Sequence, residues 1–271
     1  LGSEGTLGVI TRIVLRLAPQ PASRLSLAAG FDTLEAALTA VGQVLHSGLT
    51  PTAIEFMDRA TLDCVREMLP FRVPPQVTAL LLFMLDGHLR DVAARVKRLG
   101  QLCKKAGAPM LLQAKDEAEA ERLWAARRAI SPATFKVKPQ KVSEDVAVPL
   151  GAIPLLVAGA EDIARQRNLP IICFGHAGDG NIHVNIMFDQ SQPREREAAH
   201  AATEDLFALV GRLRGSLSGE HGIGVTKAPY IDLELSAAAL ALQRRLKQAF
   251  DPQNIMNPGK IFPAAGTPAG V

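Results

Sequence analysis

The stretch IICFGHAGDGNIHVNIMF, Ile171–Phe188, reads as two β-like runs folded back at Asp179-Gly180. Asp-Gly is a favoured pair for a two-residue type I′ hairpin turn, because both central positions need positive φ. A turn there sets Gly178 against Asn181, Ala177 against Ile182 and His176 against His183. Facing residues on paired strands point to one side, with Cβ atoms about 5 Å apart. Asn185, two residues beyond His183, shares that side. Two imidazoles so placed can chelate one divalent metal. A lone histidine in a strand is more often a satisfied polar group, and two histidines still leave a metal one protein ligand short.

A second segment offers that ligand. Ser218–Val225 reads SGEHGIGV, and its glycines at 219, 222 and 224 let the backbone bend closely around Glu220 and His221. Glu220 can supply an oxygen ligand. His221, an imidazole beside a metal, can act as general base. The plain alternative is a Gly-rich surface loop with a solvated Glu and His. Arg127 follows Trp124 on a helical stretch and shares a face with Leu123, four residues earlier. A guanidinium on a mostly apolar face suits two-pronged binding of a carboxylate, although such an arginine more often sits in a salt bridge.

Around these segments, strands and helices alternate. Gly8–Leu17, Leu25–Phe31, Thr52–Met57, Val77–Leu85, Met110–Gln113 and Asp145–Val148 read as strands. A helix follows Phe31, with Asp32 as N-cap and Glu35 three residues on. Its apolar positions Leu34, Leu38, Val41 and Leu45 recur at helical spacing. Further helices are expected over Ala60–Met68, Leu89–Ala106, Glu117–Ile130 and Ile153–Gln166. The pattern predicts an α+β fold of ferredoxin-like β-α-β units, giving a largely antiparallel sheet covered by helices.

Composition narrows the function. Apolar residues make up 48% of the 271, enough for a hydrophobic core. The net charge of +3 comes from scattered basic residues, and aromatics are only 4%, so a nucleic-acid groove is not expected. Cys64, Cys103 and Cys173 form no CxxC pair and are expected as free thiols of a cytoplasmic chain. The chain begins at Leu1 inside a Gly-rich loop, GSEGTLG at 2–8, which leads us to expect a piece of a longer protein.

Six segments occur in a familiar order: GSEGTLG at 2–8, LWAARR at 123–128, EDVAVP at 144–149, GHAGDGNIHVN at 175–185, SGEHGIG at 218–224 and FDPQNIMNPGKIF at 250–262. Together they resemble the C-terminal region of FAD-linked oxidases of the vanillyl-alcohol-oxidase type. Within that group they are most similar to D-lactate dehydrogenases, the glycolate oxidase FAD subunit and D-2-hydroxyglutarate dehydrogenase. The resemblance implies that residues 1–22 end a flavin-binding domain, 23–249 form a substrate and metal domain, and 250–271 return to the flavin side. It implies FAD contacts at Gly2, Ser3, Gly5, Thr6, Gly8 and Asn257. It implies a divalent metal (Zn, Mn or Fe) on His176, His183 and Glu220, and His221 as base. Arg127 would hold a substrate carboxylate, and Asn185 would lie beside the substrate. Where some relatives carry a substrate-binding lysine this chain has Ser143, with Lys141 two residues earlier.

The expected function is therefore metal-assisted hydride transfer from a small 2-hydroxy acid to FAD. The expected partners are an N-terminal flavin-binding domain, an electron acceptor that would bring membrane association, and a second copy of the chain. The alternative is a metal-binding or interaction fragment without catalysis of its own.

Overall fold

The computed structural model describes residues 2–262, so residues 263–271 of the expected tail lie outside it. In chain order the elements are β1 (Ser23–Phe31), α1 (Leu34–His46), β2 (Ala53–Met57), α2 (Arg59–Val65), β3 (Ala79–Gly87), α3 (Leu89–Lys105), β4 (Met110–Gln113), α4 (Glu117–Arg128), α5 (Ile130–Ala133), β5 (Gln140–Ala147), α6 (Ile153–Arg167), β6 (Ile171–His176), β7 (Asn181–Phe188), α7 (Pro193–Arg212) and α8 (Ala237–Phe250).

The strands form one seven-stranded sheet in the order β4-β1-β3-β2-β6-β7-β5, antiparallel throughout. It is two ferredoxin-like units joined edge to edge. In the first, β3 lies between β1 and β2, and β4 flanks β1. In the second, β7 lies between β5 and β6. The place of its fourth strand is taken by a single bridge from Ala147 to Ser216. The β2–β6 ladder closes the seam.

Each face of the sheet has its own core. Val41 of α1, Leu99 of α3, Leu156 of α6 and Phe207 of α7 bury against Phe56, Phe83 and Val184 on one face. Leu62 of α2, Leu123 of α4 and Ile130 of α5 bury against Leu80, Leu82, Phe174 and Met187 on the other. Central β3 therefore sends Leu81, Phe83 and Leu85 one way and Leu80 and Leu82 the other. A strand covered on both sides reads as an unbroken apolar run, which is why ALLLFML lacks alternation. On the second face, beyond Met187, β5 and β7 carry the polar side chains of Ser143, Asp145, His183 and Asn185, and these make the floor of the site below.

Several expectations are corrected. Gly8–Leu17 is in no ladder, and Val9, Ile10, Ile13, Val14, Leu15 and Leu17 are exposed. Strand propensity there finds no partner strand among the described residues. The N-cap of α1 is Thr33, whose hydroxyl accepts from Ala36 N–H at 3.2 Å, one residue after Asp32. The helix expected to reach Ile130 breaks at Ala129, and β5 starts five residues before the expected Asp145. Two long helices, α7 and α8, lie beyond the elements expected from the sequence. No helix among the described residues is long and apolar enough to cross a membrane.

Candidate active site

The β6–β7 turn is four residues, Ala177–Gly180, and not the expected two. His176 C=O accepts from Asp179 N–H at 3.3 Å and from Gly180 N–H at 3.1 Å. Of the Asp-Gly pair only Gly180 has positive φ, at 87°, whereas type I′ needs both. The Asp179 side chain instead accepts from Asn181 N–H at 3.0 Å. Gly180 is also forced by space, since a Cβ there would lie 2.2 Å from the Val148 carbonyl oxygen. The register is therefore shifted: His176 faces Asn181, and His183 faces Phe174. Side chains alternate with period two, so a slip of two residues leaves both histidines on the same side. They meet diagonally, ring centroids 5.4 Å apart and edge-on.

Glu220 closes the group. Its Oε1 lies 3.8 Å from His176 Nε2 and 3.7 Å from His183 Nε2. One ligand atom from each residue falls within a 4.8 Å cluster, with two imidazole nitrogens and one carboxylate oxygen facing a common point. That donor set fits a divalent Zn, Mn or Fe ion with positions left open. Gly219 of the loop is held by space, since a Cβ there would sit 2.1 Å from Asn181 Oδ1.

Glu55, which sequence reasoning missed, organises one flank from β2. It is buried; Oε1 meets His176 Nδ1 at 2.6 Å and Oε2 accepts from Arg127 Nε at 2.8 Å. Burial alone would raise its pKa, but the bond to His176 and the charge of Arg127 hold it below the usual carboxylate value. The same bond raises His176 against the effect of burial. His183 goes the other way: burial, assisted by the charge of Arg127, pushes it down to about 4. It is a neutral imidazole at ordinary pH. Arg127 spends Nε on Glu55 and lies 5.0 Å over the Phe174 ring. Its two terminal nitrogens make no hydrogen bond among the described residues and remain open to a carboxylate. The salt-bridge reading of Arg127 is met by Glu55, and that pair occupies only Nε.

Asn185 is fully buried, and Ser143 across the β5–β7 ladder donates to its Oδ1 at 2.9 Å. Its Nδ2 has no hydrogen-bond partner among the described residues. A buried amide donor left unpaired costs about 1–3 kcal/mol and calls for an acceptor in the site. Lys141 does not fill in for the absent lysine, because its Nζ is turned to the Ser131 and Thr134 oxygens beside α5.

His221 is half-exposed and stacks on His183 at 5.7 Å. The expected flavin-side residues gather next to this loop. Thr6 is buried, its hydroxyl donating to Ser3 C=O at 2.7 Å, while Gly2, Gly5 and Gly8 are exposed. Asn257 Nδ2 donates to Glu4 C=O, and Lys247 ties Thr6 C=O (2.8 Å) to Met256 C=O (2.7 Å). The Glu4 carboxylate accepts from Ile223 and Gly224 N–H at 2.6 and 2.7 Å. The 2–8 loop, Asn257 and the His221 loop are thereby one connected corner.

This fold and this corner belong to a flavoprotein class. Residues 20–261 match the family described as FAD linked oxidases, C-terminal domain, and the chain belongs to that family. It is 36% identical over 262 residues to the glycolate oxidase subunit GlcD of Bacillus subtilis, covering 97% of this chain and 56% of that protein. It is 31% identical over 264 residues to a probable mitochondrial D-lactate dehydrogenase of Danio rerio, covering 97% and 53% respectively. The chain thus spans about half the length of these curated relatives. Among solved structures, p-cresol methylhydroxylase superposes with a TM-score of 0.71 over 92% of this chain and 55% of that one, at 13% identity. That likeness concerns the fold alone.

Proposed function

We propose that this chain is the substrate-side half of an FAD-dependent 2-hydroxy-acid dehydrogenase. The observation that carries the reading is the cluster of three ligand atoms on His176, His183 and Glu220, to which Glu55 ties Arg127 through His176 and on which His221 stacks through His183. Of the two relatives named above, one is a glycolate oxidase subunit and the other a probable D-lactate dehydrogenase.

His176, His183 and Glu220 would hold the metal, and Gly2, Ser3, Gly5, Thr6, Gly8 and Asn257 would face the flavin. When bound, the metal supplies Lewis-acid polarisation of the substrate hydroxyl, and the flavin supplies the two-electron acceptor. The remaining work falls to this chain. Arg127 binds the carboxylate through its free nitrogens, with Glu55 fixing the guanidinium plane. Asn185 Nδ2 donates to a substrate oxygen and so relieves its own desolvation. His221 takes the hydroxyl proton at the ring nitrogen that faces the site. The α-hydrogen leaves as hydride, so the hydroxy acid loses two electrons and two protons to become the 2-oxo acid.

The test is flavin reduction. A protein carrying this chain together with a flavin-binding half, mixed without oxygen with glycolate, D-lactate or a longer D-2-hydroxy acid, should lose its oxidised-flavin absorbance within the mixing experiment. Retained flavin colour with every 2-hydroxy acid, in a preparation that holds both FAD and metal, overturns the reading.

A second expectation concerns Glu55. Partners that orient a metal-binding imidazole are worth about 10–100-fold in metal affinity. Glu55→Gln should weaken Zn or Mn binding by about that factor, read by calorimetric titration. An unchanged affinity would show that His176 needs no such orienter.

A further inference from the structure

The loop of Glu220 and His221 belongs to no helix or strand, so its backbone amides must find acceptors elsewhere. Each amide from Gly219 to Gly224 has one. Asp145 of β5, wholly buried, serves the first part of the loop. Its carbonyl oxygen takes Gly219 N–H at 3.4 Å, and its Oδ2 takes Glu220 and His221 N–H at 2.5 and 3.0 Å. Ser218 Oγ accepts from Gly222 N–H at 2.7 Å. The last part hangs on Glu4, 219 positions away along the chain from Ile223. Glu4 spends both oxygens there, Oε1 on Ile223 N–H at 2.6 Å and Oε2 on Gly224 N–H at 2.7 Å.

The two holders differ in kind. Asp145 is part of the sheet, and its Oδ1 accepts from Lys227 Nζ at 2.6 Å. Glu4 reaches in from the 2–8 loop, and both sides of that contact are shaped for it. Its φ is 51°, a left-handed conformation that a Cβ makes costly. Its own carbonyl is tied down by Asn257 Nδ2. On the receiving side Gly222 and Gly224 have φ of 87° and 56°, and successive amides turned this way form a concavity for an anion. A Cβ on Gly222 would sit 2.8 Å from Glu4 Oε1, so glycine makes the room that the carboxylate fills. Bonds from backbone N–H to a carboxylate are charge-assisted and stronger than neutral ones.

The consequence reaches Glu220 through the backbone. Its side chain is 53% exposed, so little packing of its own fixes it, and the path of the loop decides where its carboxylate points. We infer, on the reading of Glu220 as a metal ligand, that Glu4 is a positioning residue for the metal site: it grips the Ile223–Gly224 end of the loop from the 2–8 loop and so sets Glu220 opposite His176 and His183. The 2–8 loop and the metal site are then one mechanical unit. A mere fastener would act the other way. It would tie residues 2–8 to the body of the protein and leave Glu220 where Asp145 holds it. Metal affinity separates the two roles.

The experiment takes the protein that carries this chain together with a flavin-binding half, with Zn as the probe. Calorimetric titration gives the Zn affinity, and amide hydrogen exchange follows the loop. In Glu4→Ala the Ile223 and Gly224 amides should lose protection, and Zn affinity should fall by about tenfold, the lower end for partners that orient a ligand. Glu4→Gln keeps one acceptor and turns an N–H donor on the other amide, so both effects should be intermediate. Unchanged protection in Glu4→Ala overturns the grip. Wild-type Zn affinity in a Glu4→Ala protein whose two amides have opened reduces Glu4 to a fastener. Should Glu4→Ala fail to fold, Glu4→Gln decides by the same two readouts. A wild type that takes up no Zn sinks the metal reading by itself. Exchange at Glu220 and His221 then decides Glu4: protection lost there in Glu4→Ala means that the grip reaches those residues, and protection kept there overturns it.

Discussion

Replacing His176 and His183 together by alanine should abolish divalent metal binding by this chain. The wild type should take up about one Zn, Mn or Fe per chain, as expected for a three-ligand site. Only Glu220 would remain in the double variant, and it sits on a half-open loop with its side chain exposed. A single exposed carboxylate does not hold a metal against water. Each single replacement should already cost more than the 10–100-fold typical of losing a mere orienting partner. Elemental analysis after dialysis checks the stoichiometry, and calorimetric titration checks the affinity. A folded wild-type chain that takes up none of these metals removes the metal from the proposed function.

The pH dependence of that binding has a definite sign. A metal needs the bare imidazole nitrogen, so it competes with the proton. His183, pushed down to about 4, gives no competition at ordinary pH. His176 is raised by its bond to Glu55, and it titrates above the ordinary histidine value. Affinity should therefore be full on the alkaline side, and should begin to fall as pH drops through the raised value of His176. Glu55→Gln removes the cause of that raise, so the fall should move to lower pH even as the plateau affinity drops. The two effects are separable in one titration series.

How much of this was legible in the sequence is best seen at the hairpin. The expected turn type and register were wrong, yet the conclusion that His176 and His183 share a face survived. Period-two alternation fixes the face whenever a register error is even. The four-residue turn itself was not readable, because Asp179 spends its side chain on Asn181 N–H and never enters positive φ. Glu220 and His221 stood out by their glycines, and the close approach of Gly219 to Asn181 explains one of them.

Glu55 and Asp145 were invisible for a different reason. Glu55 is 121 positions from His176, and Asp145 is 76 from His221. No local pattern marks Glu55, and Asp145 stood in the EDVAVP segment without a role, since each owes its contacts to the β2–β6 seam or the β5–β7 ladder. The strand expected over Gly8–Leu17 failed in the opposite sense. Its local preference is clear, but a strand exists only where a partner supplies the ladder. The ferredoxin-like units, by contrast, were legible, because alternation of strand and helix is a local signal repeated several times along the chain.

His221→Asn should remove turnover by a factor of about 10²–10⁴ in the flavin-bound protein, the range that a positioned general base contributes. Asparagine retains a polar side chain of similar reach but offers no nitrogen that can accept a proton near neutral pH. The three ligand atoms of the candidate metal site come from His176, His183 and Glu220, so any metal content should stay at the wild-type level. Arg127 and Asn185 also stay in place, so KM should move far less than kcat. That split separates loss of proton transfer from loss of the site. A variant that loses metal along with activity would point to collapse of the loop pinned by Asp145, and the amide bonds to Glu220 and His221 make that failure recognisable by hydrogen exchange at those two positions. A variant with full metal and near-normal kcat would leave the substrate proton to solvent. The stack of His221 on His183 would then be no more than packing over a metal ligand.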